Sequence, residues 1–199
     1  MNFATSLELL RFHWMAYSIY ALLIISVVAW FGYNLGRKEK AKSIVRIPFY
    51  GYIAFLVAGG VGHHIFTYNA IPWVAEDIMR DGIKADKEYD ITIKDHKWQL
   101  PAAVMHANVG DKVRFNVHSE DLTYGFGLFR KDGTMVMQMQ VLPNHDNDLL
   151  WTFNECGKFD LTSTEYAGPA QYDEDDGHDK MLVKNALVIP CSSNKIASR

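Results

Sequence analysis

The sequence predicts two membrane-spanning helices followed by one all-β domain. Two long charge-free apolar segments before Trp73 predict the helices, and short runs of alternating apolar and polar residues after it predict the strands. The chain therefore divides into a two-helix transmembrane anchor at 1–75, a connecting segment at 76–86, a β-domain at 87–190 and a C-terminal tail at 191–199.

The two charge-free segments lie between Arg11 and Arg37 and between Arg46 and Glu76. Each exceeds the roughly 20 residues that a helix needs to cross a hydrocarbon core of about 30 Å. A cleaved signal peptide is the competing interpretation of the first segment, but no basic cluster stands at the extreme N-terminus and one follows the segment. Two membrane spans are the simplest interpretation.

The connector between the spans is strongly basic, and this predicts its orientation. By the positive-inside rule it faces the cytoplasm, so both termini and the β-domain lie outside. The formal net charge is −3 and the connector concentrates the basic residues, so the sequence indicates no nucleic-acid partner. The connector residues are Arg37, Lys38, Lys40, Lys42 and Arg46, with Glu39 as the single acid.

The β-domain prediction depends on period-2 runs separated by turn residues. Alternation over four to eight residues is typical of strands, and several such runs favour a β-sandwich or a barrel. Turn signals occur at 108–111, 131–133, 143–144 and 156–157. The predicted strands are 89–93, 112–117, 135–141, 158–162 and 181–189.

The chain has two cysteines, Cys156 and Cys191, both in the part predicted to lie outside the membrane. A disulfide persists in such a compartment, and the pair does not have the spacing of a metal site. The sequence does not give the distance between the two residues, so bonded and free states both stay open.

Two segments of the β-domain carry motif-like residue patterns. Residues 119–126 read SEDLTYGF, and residues 163–181 begin STEYAG and end GHDKM. They resemble the S-x-D-V-x-H-S-F and C-x-E-x-C-G-x-x-H-x-x-M motifs of cytochrome c oxidase subunit II, a family that binds the binuclear copper centre CuA. The resemblance implies a cupredoxin-like Greek-key sandwich or barrel behind a two-helix hairpin. Further landmarks in the family's order are 96–98, 109–113, 115–119, 140–143, 151–153 and 157–160.

The resemblance also implies that the copper ligands are mostly replaced. CuA needs two bridging thiolates, which a hydroxyl and a methyl group cannot supply. The step from Ala167 to His178 is longer than the family's four-residue step because of an insertion that includes 172–177. We therefore expect no metal in this degenerate frame. Its positions are Tyr124 for the first histidine, Ser163 and Ala167 for the cysteines, and Glu165, His178 and Met181 for the remaining motif residues.

Two other groups of residues are weaker candidates. His178 and the acids at 173–176 have the oxygen-rich character of a divalent-cation site, but such a charge run is more often a solvated loop. His63 and His64 form a polar pair inside an apolar segment, which makes them candidates for contact with a quinol or a haem edge. Interfacial hydration or contact with another subunit is the alternative for this pair.

The resemblance implies a non-catalytic subunit II of a membrane haem-copper reductase, either a quinol-linked nitric oxide reductase or a quinol oxidase. This chain would hold no cofactor, and the haem with its copper or iron would lie in a large catalytic partner subunit. Membrane quinol and the lipid bilayer would be its other partners, at the inner cell membrane. The alternative from a different class is a free-standing, membrane-anchored cupredoxin-like module that binds a metal ion or an extracytoplasmic protein.

Overall fold

The computed structural model describes residues 3, 5–37, 39 and 48–191. It has a helical unit and a β-domain unit, which are described separately. The helical unit ends at Ile71, and the β-domain unit begins at Pro72 and also includes residues 5–7.

The helical unit contains α1, Ser6–Leu35, and α2, Phe49–Ala70. Both are long and apolar enough to cross a membrane, and their apolar windows are unburied within the chain. Apolar side chains exposed along a whole helix need lipid or another protein around them. Two apolar helices followed by a β-domain were predicted, and both parts are confirmed. The basic residues Lys38, Lys40, Lys42 and Arg46 lie outside the described residues, so the topology stays a prediction.

The β-domain unit begins with a short helix that covers the end of the predicted anchor at 1–75 and the start of the predicted connecting segment at 76–86. Helix α3 covers Pro72–Ile78 and has Pro72 as its first residue, where proline's missing N–H is not needed. A 3-10 turn at Arg80–Gly82 follows. Arg80 donates to Asp148 at 3.0 Å, and Arg114 donates to the same carboxylate at 2.7 Å. This shared ion pair ties the turn to the sheet.

Nine strands within the described residues form two sheets. One sheet has the order β2-β1-β4-β7 and the other β3-β9-β8-β5-β6. The pairs β1/β4 and β3/β9 are parallel, and the other pairs are antiparallel. The strands are β1 Lys87–Lys94, β2 Lys97–Gln99, β3 Met105–His106, β4 Lys112–Ser119, β5 Tyr124–Phe129, β6 Met135–Val141, β7 Asn147–Thr152, β8 Gly157–Thr162 and β9 Val183–Ile189.

The core between the two sheets is rich in aromatic rings. Phe115 on β4 packs against Phe126 on β5 with ring centroids 5.2 Å apart. Phe153 packs against Phe159 at 5.9 Å. Rings at these separations add to the burial of apolar area that stabilises a sandwich. All four rings are essentially buried, so the core is continuous from one sheet to the other.

Cys156 and Cys191 form a disulfide with their Cα atoms 5.0 Å apart. The strand pairing brings the two cysteines together, because Gly157 at the start of β8 lies opposite Ile189 at the end of β9. Cys156 directly precedes β8, and Cys191 follows β9 after one residue. Next to the bridge, Arg130 donates to both carboxylate oxygens of Glu155, at 2.5 and 3.0 Å. The disulfide and this ion pair hold the end of the sandwich where β8 begins.

Candidate functional site

The motif-like segments meet at one end of the β-domain. Tyr124 is the first residue of β5, and Ser163, Glu165 and Ala167 lie on the loop that follows β8. Hydrogen bonds connect this loop to β5 and to the turn before β2. We call this region the frame site. Its positions are Tyr124, Ser163, Glu165, Ala167 and Met181, with His178 on the insertion.

Tyr124, predicted from the motif to replace the first copper-ligand histidine, is fully buried. Its hydroxyl donates to Asp121 Oδ2 at 3.2 Å and accepts the backbone N–H of His96 at 3.4 Å. The His96 ring lies edge-on to the Tyr124 ring, with centroids 5.9 Å apart. The phenol is therefore held by a donor, an acceptor and a ring contact, which fixes it in place.

The Asp121 carboxylate that accepts the hydrogen bond from Tyr124 also accepts bonds from two backbone N–H groups. The backbone N–H groups of Asp95 and Leu122 donate to it at 2.8 and 2.7 Å. Partial burial tends to raise the pKa of Asp121, but these backbone donors lower it by more, so the pKa lies below its ordinary value. Asp121 is consequently a carboxylate at neutral pH and a strong acceptor for the phenol.

We expect Tyr124 to stay protonated in alkaline solution. Burial raises its pKa to about 12, and the hydrogen bond with Asp121 adds to the rise. Because this is above the ordinary value of about 10, the stability from the neutral phenol is complete below about pH 10 and lost as pH rises through about 12. Ultraviolet titration of tyrosinate at about pH 11 should give equal counts for wild type and Tyr124→Phe. One extra ionised tyrosine in the native wild type would contradict this, and denatured protein provides the control.

Ser163 fastens the loop to β5 through its hydroxyl. Its Oγ accepts the backbone N–H of Gly125 at 3.0 Å and donates to the carbonyl of Glu165 at 2.8 Å. Thr164 N–H donates to the Gly125 carbonyl at 3.2 Å. A Cβ on Gly125 would overlap the Thr164 hydroxyl and lie 2.8 Å from its backbone nitrogen. The loop thus approaches β5 to a distance that requires glycine.

Ala167 and Met181 complete the packing of the frame site. The Ala167 carbonyl is 2.9 Å from His96 Nε2, and its N–H donates to Gln171 Oε1 at 3.2 Å. Met181 is fully buried, and its carbonyl accepts the indole N–H of Trp98 at 2.9 Å. Both positions act through backbone atoms, and the Met181 side chain is part of the hydrophobic core.

His178 is separated from this packing by the insertion. It is exposed, its N–H donates to Asp176 at 2.8 Å, and its carbonyl accepts the N–H of Asp173 at 2.9 Å. Asp173 also lies 3.7 Å from the Lys180 ammonium. Across the part of the chain that the structure describes, no three His, Cys, Asp or Glu side chains converge as a metal site would require. The acidic loop therefore has the geometry of a solvated turn.

A binuclear copper centre does not fit these residues. Such a centre needs two thiolates, and both cysteines of this chain are consumed in the disulfide with each other. The hydroxyls of Tyr124 and Ser163 are hard donors already engaged in hydrogen bonds, and Ala167 offers no side-chain ligand. Only the His178 and Met181 side chains have a suitable chemistry, and one is exposed while the other is buried.

His63 and His64 lie on α2 and are both exposed. Consecutive helical residues point about 100° apart, so the two rings cannot present one flat face to a single ligand. Their centroids are 6.0 Å apart in an edge arrangement. Contact with a quinol or a haem edge stays a prediction for this pair. It predicts that changing both residues to Phe strongly impairs quinol-driven turnover. Turnover equal to that of the wild type would contradict the prediction.

Three residues that build the frame site, Asp121, His96 and Asp95, were not predicted as site residues. Asp121 lies in the motif-like segment 119–126, so the sequence marks it as a motif residue. Nothing in the sequence indicates its hydrogen bond with the Tyr124 phenol. His96 and Asp95 adopt positive φ angles of 61° and 48°, which no sequence pattern indicated. This tight turn directs the His96 N–H at the Tyr124 hydroxyl.

No protein-family model and no curated protein matches the chain. Solved structures similar to it include the periplasmic domain of cytochrome oxidase subunit II from Bradyrhizobium japonicum, at 17% identity and TM-score 0.39, covering 54% of this chain and 86% of that one. A haem-copper terminal oxidase dimer gives 16% identity and TM-score 0.46 over 70% and 97% of the two chains. Auracyanin B is 6% identical, with a TM-score of 0.42, and the match covers 55% of this chain and 93% of that one. At these values no function is carried over to this chain.

Proposed function

We propose that this chain is a non-catalytic subunit II of a membrane haem-copper reductase, and that its β-domain has lost the copper electron-entry site. The observation that carries the proposal is the buried Tyr124 phenol, hydrogen-bonded to Asp121, at the position of the first copper ligand. At that position the phenol ring packs in the core, and its hydroxyl makes a hydrogen bond to Asp121 in place of a bond to a metal.

The state of the two cysteines supports the loss of copper and an extracytoplasmic location. A thiolate bridge needs free cysteines, and the disulfide between Cys156 and Cys191 removes both. Disulfides persist in oxidising compartments, which agrees with a β-domain outside the cytoplasm. The inner cell membrane, with both spans crossing it, is the location that this proposal requires.

A subunit without the copper pair cannot pass electrons from a water-soluble cytochrome through that centre. In this proposal the electron donor is membrane quinol, and the terminal acceptor is nitric oxide or oxygen, reduced in the large haem-bearing partner. The β-domain then acts structurally. The exposed apolar surfaces of α1 and α2 provide area for that partner and for lipid.

The test is gentle detergent purification of the tagged full chain, followed by optical spectroscopy and copper analysis. We expect haem absorbance from a co-purified partner and no near-infrared band of a binuclear copper centre. A near-infrared copper band would overturn the loss of the electron-entry site. Recovery without haem, in membranes from which other respiratory complexes are recovered intact, would overturn the subunit assignment and favour the free-standing binding module.

A further inference from the structure

A cavity of about 670 Å³ lies in the β-domain apart from the frame site. One wall comes from α3, the 3-10 turn and Ile83, and the other from the residues at and after the end of β7. Cavities that bind small molecules usually have about 300–1,000 Å³, so this one has room for a single ring and part of a chain.

The apolar wall of the cavity is formed by Trp73, Met79 and Ile83. Trp73 packs against Trp151 with ring centroids 5.3 Å apart, and this contact holds the indole in place. Met79 is a flexible and polarisable side chain, of the kind that adapts to flat rings. This wall suits an aromatic or quinonoid ring better than an acyl chain alone.

The polar wall is electrically neutral. Glu76 is the one ionisable residue among the lining residues, and it pairs with the ammonium of Lys112, which lies outside the lining. Its other oxygen accepts the Thr152 hydroxyl at 2.8 Å. A phosphate would find no uncompensated cation in this lining, and a ligand cation would compete with Lys112. A neutral ligand with hydroxyl donors is the chemistry that remains.

The cavity wall is also close along the chain to an apolar helix. Helix α2 ends at Ala70, and the lining residue Pro72 follows after one residue, Ile71. Consecutive Cα atoms are about 3.8 Å apart, so the wall is tethered within a few ångströms of the end of that helix. Within the proposed function α2 crosses the membrane, so the chain itself connects a membrane-spanning segment to Pro72 of the cavity wall.

We propose that this cavity binds the headgroup of a membrane quinol. The ring would lie against Trp73 and Met79, and a ring hydroxyl would donate to the Glu76 carboxylate. The site is one of binding, and no electron transfer is assigned to it. The choice of quinol rests on the proposed function, while the neutral, ring-sized character of the site rests on the cavity itself.

The test uses the full chain in phosphatidylcholine nanodiscs with decylubiquinol, kept reduced under argon, as the probe and tryptophan fluorescence as the readout. A Cβ on Gly82, which lines the cavity, meets no atom within 4 Å, so Gly82→Leu adds a bulky side chain to the lining without a clash at Cβ. We expect saturable quenching in the wild type and at least a tenfold weaker apparent affinity in Gly82→Leu. Val109→Leu enlarges an exposed apolar side chain outside the lining and should bind as wild type does. Met79→Ala is the second variant, and it should weaken binding threefold or more.

Three results would overturn the proposal. The first is quenching that rises linearly and equally in all variants, which indicates partition into the bilayer. The second is unchanged affinity in both Gly82→Leu and Met79→Ala. The third is displacement of the quinol by added phosphatidylglycerol, which would assign the cavity to a phospholipid headgroup. Co-purification of haem is measured separately, so absence of quinol binding with haem retained overturns this inference alone.

Discussion

Replacing Gly125 by alanine is expected to destabilise the β-domain by about 3 kcal/mol, because overpacked positions typically cost about 1–3 kcal/mol and backbone clashes add to this. The new Cβ would overlap the Thr164 hydroxyl and lie 2.8 and 2.9 Å from the backbone nitrogens of Thr164 and Glu165. Backbone atoms on a hydrogen-bonded loop cannot move aside as a flexible side chain can. The loop must therefore lift from β5, with loss of the bond between Gly125 N–H and Ser163.

The measurement is the thermal midpoint of the full chain in detergent, where we expect a fall of about 10 °C. Gly82→Ala is the matched control, because its Cβ meets nothing within 4 Å and its backbone is not left-handed. That control should be neutral or slightly stabilising, by up to about 1 kcal/mol. An equal midpoint for both variants would show that the loop does not rest on β5 as described.

Removing the disulfide is expected to cost about 3–4 kcal/mol. The bridge joins two cysteines that are 35 residues apart in the sequence. It connects Cys191, just after β9, to Cys156, just before β8. Without it, the unfolded chain gains freedom while the native strands keep the same pairing. We expect the variant with Cys156→Ser and Cys191→Ser to fold with a midpoint lowered by about 10 °C or more.

A reductant provides the internal control for this second prediction. Wild-type protein that has been unfolded by heat and reduced with dithiothreitol should, after refolding, have the same thermal midpoint as the double variant. The midpoint of the double variant should not change with the reagent. Equal midpoints for oxidised wild type and double variant would mean that the bridge contributes nothing to stability. If dithiothreitol lowers the thermal midpoint of the wild type alone, the loss of stability is caused by the missing disulfide.

Local patterns predicted part of this fold well. The run at 135–141 coincides with β6, and β1, β4, β8 and β9 overlap their predicted runs with shifted ends. In β1, β4 and β8 the more buried residues alternate with more exposed ones, while β6 and β9 each contain one pair of adjacent buried residues, Val136–Met137 and Ala186–Leu187. The strand β5 was not predicted, because Tyr124 to Leu128 are all buried and two of the five residues are glycine. A strand buried on both faces has no alternation, and glycine has low strand propensity.

Tertiary contacts account for the other differences. Strands β2 and β3 have three and two residues, too few for a periodic signal. Strand β7 starts with Asn147 and Asp148, and Asp148 is stabilised there by two arginines from elsewhere in the chain. The parallel pairing of β1 with β4 is likewise a property of the assembled sheet.

The candidate site was predictable as a location but not as a set of contacts. The ordered motif residues indicated Tyr124, Ser163 and Ala167, and hydrogen bonds do bring these loops together. The sequence did not indicate that His96 would connect them. Its backbone lies in the left-handed region, which single-residue propensities do not predict for histidine. The insertion before His178 is visible in the sequence, and its effect on the position of that residue follows from the turn at 173–177.

The way in which Tyr124, Ser163 and Ala167 are held has a consequence for evolution. Tyr124→His alone would take the phenol from Asp121, and Ser163→Cys alone would replace a good acceptor for Gly125 N–H by a weak one. Each step loses a native bond before any metal can bind, since copper needs both thiolates together. Conversion of this packing into a copper site would thus need several substitutions together, because each single substitution costs a native hydrogen bond first.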